Sequence, residues 1–344
     1  MAVTPRRPAT MRDVAERARV SRSLVSTVFR DVPGASPATR ARVLQAAAEL
    51  GYRPDERARQ LRSHQRRLIG VTLTATQPFH VELVELLHDA VDLSGYELSL
   101  TLSTETRTLE RAFDTLLAQR CAAIVLVGPT SAADAISAVA QAAGDVPVVV
   151  ADRSLDLAEV DAVRIDDTAA MIRLVGHLVS LGHREIWYAS GNGYVSAEPR
   201  LAGYRAAMAH HGLASEARVL DAGGTHREGA AAAMRLLGSG ALPTAIVAYN
   251  DRVACGIVEV LWRNQVKVPQ DISVVGFDNI PETAMPHLDI TTIEQRAEDL
   301  VGVLVDLLLH RLGGEPAAGL HLVPPGPLVV RSSTGPPRLH AAAG

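Results

Sequence analysis

Cysteine is almost missing from these 344 residues: Cys121 and Cys255 stand alone, with no CxxC and no His-rich spacing around them. That excludes a disulfide framework and a structural zinc site, and points to two buried free thiols. Long apolar runs are missing too, none reaching the eighteen or so residues a membrane span needs. The opening MAVTPRRPAT lacks the apolar segment of a signal peptide, so a soluble, cytoplasmic protein is expected. Phosphate and nucleophile fingerprints are equally lacking: no GxGxxG opens a helix, and there is no GxxxxGK[ST] and no GxSxG. The sequence therefore gives no catalytic residue, no cofactor and no metal ligand, and the lone GNG at Gly191 to Gly193 reads as a loop. Lysine is represented by Lys267 alone; the arginine bias runs through the whole chain and reflects genomic base composition.

What remains is 47% hydrophobic and 21% charged, only 3% aromatic, and long enough for about two or three ordinary domains with a sizeable core. The charge is segregated. Residues 1–67 carry 15 Arg against 6 Asp and Glu, a balance of +9, while the rest of the chain carries 19 basic against 32 acidic residues, a balance of −13. A basic head on an acidic body is the footprint of a nucleic-acid binder whose body stays off the DNA.

The basic head begins TMRDVAERARVSRSLVSTVFR. Thr10 can cap a helix with Asp13 as its reciprocal partner, and Val14, Ala15 and Ala18 then share one face. After a short turn through Arg19 and Val20, Ser21 is a second cap. From it Val25, Val28 and Phe29 form an inward stripe while Arg22, Ser23, Ser26, Thr27 and Arg30 point away. Two short helices on so tight a turn make a helix-turn-helix, whose second helix enters the major groove N-terminus first. A third helix is announced by Ser36, Pro37 and the run to Leu50, with Val43, Leu44, Ala47 and Leu50 as its inner face and Gly51 as its end. Arg53-Pro54 then breaks the chain, and DERARQL is a helical segment that buries almost nothing of its own.

This order of pieces, with the spellings DVAxxAxVS, TRxRVxxAAxELGYxP and ARxL, resembles the lac repressor (LacI/GalR) family of bacterial transcription regulators, and the resemblance runs over essentially the whole chain. It implies that Arg22, Ser23 and Thr27 read bases, with Thr10, Ser21, Ser26 and Arg30 joining them at the DNA. It also implies that Leu61 wedges into the minor groove and that Ala58 lets two hinge helices of a dimer touch. Arg19 replaces the family's usual turn glycine, at a cost of about 1 kcal/mol if its φ is positive. Thr27 replaces a common arginine, which leaves Arg22 to supply a bidentate guanine contact.

From Leu68 short β-type runs alternate with longer amphipathic ones, as in parallel sheets covered by helices on both faces. The expected strands are 69–73, 96–101, 123–127, 146–151, 162–165, 186–189, 245–248 and 273–277. The expected fold is an all-α helix-turn-helix headpiece followed by an α/β, periplasmic-binding-protein-like body of two doubly wound parallel-sheet subdomains. By resemblance the headpiece is 1–53, the hinge 54–67 and the body 68–337, with lobe one at 68–166 and 295–324, lobe two at 167–294 and 325–337, and a tail at 338–344. The C-terminal RSSTGPPRLHAAAG holds no leucine heptad, so no tetramerising helix is expected.

Ligands of open α/β sheets bind beyond the carboxyl ends of the strands. Asp152 and Arg153, Asn250 and Asp251, and Asp278 stand at such ends, and Arg200 follows the IWYAS strand. The resemblance implies that Asp152, Arg200, Asn250 and Asp278 contact or frame an effector, although each alone suits a helix cap or an inter-lobe ion pair equally. Asp251, at a helix start, reads mainly as a cap. Phe79 in QPFH is either a stacking platform or a core residue, and His80 beside it reads as a surface residue. Glu198 stands where the lac repressor has a sugar-gripping arginine, and Gly224 near where an aromatic platform often sits. That combination disfavours a simple galactoside and suggests an amino or strongly hydroxylated compound.

The expected function follows: a dimeric repressor of a pseudo-palindromic, double-stranded operator, controlled by a small sugar-like metabolite bound between two lobes. An effector-independent repressor with a degenerate pocket is the alternative. A transporter's solute-binding protein would share the body but lack the basic head, and an enzyme would need a fingerprint that is missing.

Overall fold

The computed structural model describes residues 9–29, 33–52, 67–74, 77–104, 106–153, 155, 157 and 160–338. The chain divides into two compact units, Met1–Arg66 and Arg67–Gly344.

In the first unit, α1 (Met11–Ala18) opens on the reciprocal cap: the Thr10 side chain accepts from the Asp13 amide while the Asp13 carboxylate accepts from Thr10 N at 2.7 Å. α1 ends on Arg19 at φ 53°, the left-handed conformation in which a side chain costs about 1 kcal/mol relative to glycine. α2 (Arg22–Phe29) follows, with Leu24 N donating to Ser21 Oγ at 3.2 Å. α3 (Pro37–Leu50) is capped by Ser36 and closed by Gly51 at φ 62°. Val14, Ala15, Ala18, Val25, Val28, Val43, Ala46 and Ala47 make the core. Three inward assignments need correction. Leu44 and Leu50 are 48% and 37% exposed, and Ala46 takes the inner position instead. Phe29 is only half-buried, at the margin, where its ring meets Tyr52 at 5.6 Å.

The second unit starts with β1 (Leu68–Leu73) and builds a six-stranded sheet. Its other members are β2 (Glu97–Leu102), β3 (Ala123–Val127), β4 (Val148–Ala151), β5 (Asp161–Ile165) and, from far along the chain, β11 (Leu320–Val323). The order is β11-β5-β4-β3-β1-β2 and every pairing is parallel. Such a sheet must be covered on both faces. α4 (Pro78–Leu93) and α11 (Ala297–Leu312) pack Leu83, Leu87, Leu300 and Leu304 onto one face; α5 (Leu109–Ala118) and α6 (Ala133–Ala142) pack Phe113, Leu116 and Ile136 onto the other.

A second, four-stranded parallel sheet has the order β7-β6-β8-β9: β6 (Ile186–Ser190), β7 (Arg218–Asp221), β8 (Ala245–Ala248) and β9 (Ser273–Val275). α7 (Asp167–Ser180) and α8 (Ala197–His210) cover one face, with Tyr188 stacked on Tyr204 at 5.2 Å; α9 (His226–Gly238) and α10 (Asp251–Arg263) cover the other. β10 (Thr292–Ile293) and β12 (Leu328–Val329) pair antiparallel beside this sheet, bridged to it from Thr291 to Val275. The body is therefore two parallel sheets, each doubly covered, with the backbone passing between them after Ile165, before Ala297 and after Val323. Among the described residues no helix is long and apolar enough to cross a membrane.

Candidate functional site

Because all strands of each sheet run one way, their carboxyl ends gather on one edge, and the polar side chains that follow them converge. Asp152 follows β4, Tyr249 and Asn250 follow β8, and Asp278 lies three residues past β9. With them stand Gln77, Phe79 and His80 at the start of α4, Arg200 in α8, and Gln295 ahead of α11. These residues line one small space of about 10 Å³, room for roughly one water. Asp152, Asp278 and Asn279 hold φ of 59°, 117° and 62°. Non-glycine residues in such conformations cost on the order of 1–3 kcal/mol each and gather at binding sites.

Arg200 is the electrostatic centre. It is 3% exposed, donates from Nε to Asp167 Oδ1 at 2.9 Å and from Nη1 to the Tyr249 carbonyl at 2.7 Å, and lies 3.5 Å from Asp278 Oδ1. Its guanidinium sits 3.6 Å from the Phe277 ring centroid and 5.0 Å from that of Tyr249. Burial opposes its charge, but Asp278 and Asp167 together overcome that and hold its pKa above the ordinary arginine value. Asp278 also accepts from Gln295 Nε2 at 2.5 Å. Burial raises its pKa to about 6 even though Arg200 pulls the other way. Asp167 is raised by burial too, against Arg200 and against Arg164, which donates to it at 2.7 Å.

His80 is corrected from surface to interior: it is 1% exposed, with Nε2 2.8 Å from Asp152 Oδ2 and Nδ1 3.3 Å from the Thr74 carbonyl. Burial works against the imidazolium, but the Asp152 carboxylate outweighs it and raises the pKa. Gly128, at φ 55°, makes the room: a Cβ there would lie 2.1 Å from the His80 ring. Gly224 does the same for Tyr194, whose ring a Cβ would meet at 2.6 Å. The space left by this glycine is thus filled by a tyrosine from a preceding loop.

Asp251 is corrected as well. The cap of α10 is Asn250, whose Oδ1 accepts from Val253 N at 2.9 Å. Asp251 is fully buried, accepting from Thr292 Oγ1 at 2.6 Å and Ile280 N at 2.9 Å, and its pKa is raised well above the usual range by burial and by nearby Asp278. The Nδ2 of Asn250 reaches across the cleft to donate to Gln77 Oε1 at 2.9 Å, and within its own lobe it donates to the Gly224 carbonyl at 3.1 Å.

Of the body residues singled out from sequence, Phe79, Asp152, Arg200, Asn250 and Asp278 meet around this space. Phe79 also belongs to the core, at 4% exposure. Arg153 does not line the space; its Nη1 donates to the Pro129 and Ser131 carbonyls. Glu198 is exposed in the first turn of α8 and does not line it either. Gln77, Tyr249, Gln295 and Asp167 were missed. Gln77 opens the QPFH segment and Gln295 stands just ahead of α11, but nothing in the spelling says that they turn inward.

On the first unit, Ser21, Arg22 and Ser23 are exposed at the start of α2, and Ser26 and Thr27 are half-buried one turn on. Ser21 and Thr10 spend their oxygens on helix caps, and Thr27 Oγ1 donates to the Ser23 carbonyl at 3.1 Å. Arg30, Ala58 and Leu61 lie outside the described residues. Among the described residues no cluster of His, Cys, Asp or Glu is placed to hold a metal ion, and both cysteines are buried thiols.

Residues 10–55 match the family of bacterial regulatory proteins of the lacI type, and residues 175–334 match a periplasmic binding protein-like domain. The HTH-type transcriptional regulator GalR of Escherichia coli is 32% identical, the match covering 97% of this chain and 98% of that one. The ribose operon repressor of Escherichia coli is 33% identical over 88% of this chain and 93% of its own. A lac repressor dimer solved with operator and the anti-inducer ONPF superposes with a TM-score of 0.84 at 30% identity, over 96% of this chain and 100% of that one.

Proposed function

The chain belongs to the lacI family of bacterial regulatory proteins, and from that premise we propose that it is a transcriptional repressor whose hold on operator DNA is set by a small sugar-like effector. It acts as a homodimer on a pseudo-palindromic site, reading bases from the exposed start of α2 through Arg22, Ser23 and Thr27, and it carries out no catalysis. Lobe one (68–166 and 295–324) and lobe two (167–294 and 325–337) close on the effector and so set the spacing of the two hinge segments (54–67). That spacing decides whether Ala58 packs hinge to hinge and whether Leu61 enters the minor groove.

The observation that carries this reading is the cluster at the strand ends. Asp152, Arg200, Asn250 and Gln295 are buried and the Asp278 side chain is 5% exposed, donors and acceptors facing one small space, and buried polar groups are costly unless something bonds them. A ligand of sugar size needs a site of about 300 Å³ or more, so binding requires the lobes to part. The geometry is that of a closed cleft. To swing the repressor from mostly bound to mostly free, the effector must prefer one lobe arrangement by about 5.5 kcal/mol.

The closed cleft also favours a second reading, an effector-independent repressor whose cleft stays shut. One experiment separates them. The full-length chain is first given its operator by selection from random duplexes, and operator affinity and melting temperature are then followed across sugars, polyols, nucleosides and amino sugars. An effector raises the melting temperature with its occupancy and shifts operator affinity in step. No preference for any symmetric duplex over scrambled DNA would refute the repressor itself.

A further inference from the structure

Accepting the cleft as the effector site, we infer that Arg331, on the terminal segment and outside the lining, is a positioning residue for Asp278: with Asp251 it clamps the turn that presents the Asp278 carboxylate to the cleft. Asp278 and Asn279 stand side by side at φ 117° and 62°, and neither is glycine. Such backbone persists only where its surroundings over-determine it. The carboxylate depends on that turn. Asp278 Oδ1 accepts from Gln295 Nε2 at 2.5 Å and lies 3.5 Å from Arg200 Nη2, and a turn relaxed to negative φ would aim it elsewhere.

Two side chains grip the turn, and neither lines the cleft. Asp251, fully buried, accepts from Ile280 N at 2.9 Å and from Thr292 Oγ1 at 2.6 Å, while its own amide donates to the Phe277 carbonyl at 2.8 Å. It therefore holds the chain just before Asp278 and just after Asn279. Gly276 leaves the room for this: a Cβ there would lie 2.0 Å from Asp251 Oδ1. Arg331 reaches Asn279 itself. Its Nη2 donates to Asn279 Oδ1 at 2.8 Å, and its Nη1 to the Ile290 carbonyl at 2.6 Å and to Thr283 Oγ1 at 3.2 Å. One planar fork thus ties both ends of the 279–290 loop. All three acceptors are neutral, so what the fork contributes is direction rather than charge pairing. Arg331 is anchored in turn. Its amide donates to Thr291 Oγ1 at 2.9 Å, Ser332 N to Asp289 Oδ2 at 3.0 Å, and Ser333 Oγ to the Val274 carbonyl at 2.6 Å. The terminal segment is registered against β9, the strand that leads into Asp278, and this makes Arg331 a fixed point for the turn.

The test uses the full chain with 13C-labelled aspartate carboxyls, the Asp278 resonance being the one that Asp278→Asn removes. In the parent this carboxyl titrates at about 6, pushed up by burial. Arg331→Met releases the turn, and the carboxylate leaves its buried place. Its midpoint should fall by at least about one pH unit toward the ordinary aspartate value, roughly a tenfold change in proton affinity. Loss of a nearby cation alone would move it the other way. The charged groups that face Asp278, namely Arg200, Asp152, His80 and Asp251, are present in every variant. Arg331→Lys keeps the charge and loses the fork; it should shift the midpoint in the same direction by less, and it carries the test if Arg331→Met does not fold. Adding Asn279→Gly to either variant supplies a residue that holds φ 62° unaided, and should bring the midpoint back toward the parent's. Rescue of this kind is foreign to a residue that only pins the tail. A midpoint that neither variant lowers, or a fall that Asn279→Gly does not reverse, overturns the inference. The cleft's ligand is judged apart. A sugar, polyol or nucleoside that raises the parent's melting temperature should bind Arg331→Met at least about tenfold more weakly. If none raises it, the effector reading falls, while the titration still decides whether Arg331 holds Asp278.

Discussion

Removing the guanidinium of Arg200 is the sharpest perturbation the cleft offers. Arg200→Met keeps an unbranched chain over the Phe277 and Tyr249 rings, so the packing loss is small. The electrostatic loss is not. Asp278 keeps only Gln295, Asp167 keeps only Arg164, and the Tyr249 carbonyl loses its donor. Breaking one partner out of a buried pair costs about 3–5 kcal/mol, because a buried charge is left behind. That cost depends on pH in a known direction. Asp278 already has a folded pKa raised to about 6 by burial; without Arg200, which lowers it, the value rises further. A carboxylate raised in the folded state contributes stability at low pH and loses it as pH climbs through the folded pKa. The deficit of the variant is therefore largest in alkaline solution, and it shrinks by about 1.4 kcal/mol for each pH unit between the variant's pKa and the parent's. Both tryptophans, Trp187 and Trp262, lie in the second unit, so urea unfolding followed by tryptophan fluorescence reports the body without the headpiece. The parent and Arg200→Met should differ by about 3–5 kcal/mol at pH 8 and by at least about 1 kcal/mol less at pH 6. A deficit below about 1 kcal/mol at pH 8, or one that does not change between the two, refutes the charge-centred account.

Gly128→Ala puts a Cβ 2.1 Å from the His80 ring at a φ of 55°; a loss of about 1–3 kcal/mol is expected, with the His80 imidazole resonances moving as its bond to Asp152 breaks. Asn250→Ala removes both the α10 cap and the bridge to Gln77. It should cost about 1–2 kcal/mol, and small-angle scattering should report a more open ligand-free body; an unchanged scattering curve would mean the bridge does not hold the lobes. Cys255, its thiol pushed up to about 12 chiefly by burial, and Cys121, also buried, should resist a thiol reagent in the native chain and react at once in urea. Arg22→Ala should broaden the selected operator at one base pair per half-site, whereas a uniform loss across all sequences would make Arg22 a phosphate contact.

The parts of this protein that could be read from its letters are those decided locally. Thr10 with Asp13, Ser36 with Pro37, and Gly51 end their helices where the spelling puts them, because caps need only residues a turn apart. The buried strands IGVTL, AIVLV and VVVA announce themselves as unbroken apolar runs. Arg218–Asp221 and Leu320–Val323 do not: they are half-exposed edge strands, and only their pairing with β6 and β5 makes them strands. Site residues divide the same way. That polar groups crowd the strand ends follows from a parallel sheet, but which of them is compensated is settled by chain segments far apart. His80 is inside because Gly128 has no side chain. Asn250 rather than Asp251 is the cap because Asn250 is the residue held extended, at φ −150°, leaving Asp251 to turn inward to Thr292 and Ile280. Glu198 and Asp152 are both single acidic letters near a strand end or helix start, yet one faces solvent and the other a buried imidazole. A list of acidic residues thus says little about the charge a cleft presents; the pairing across it does, and that pairing is a property of the fold.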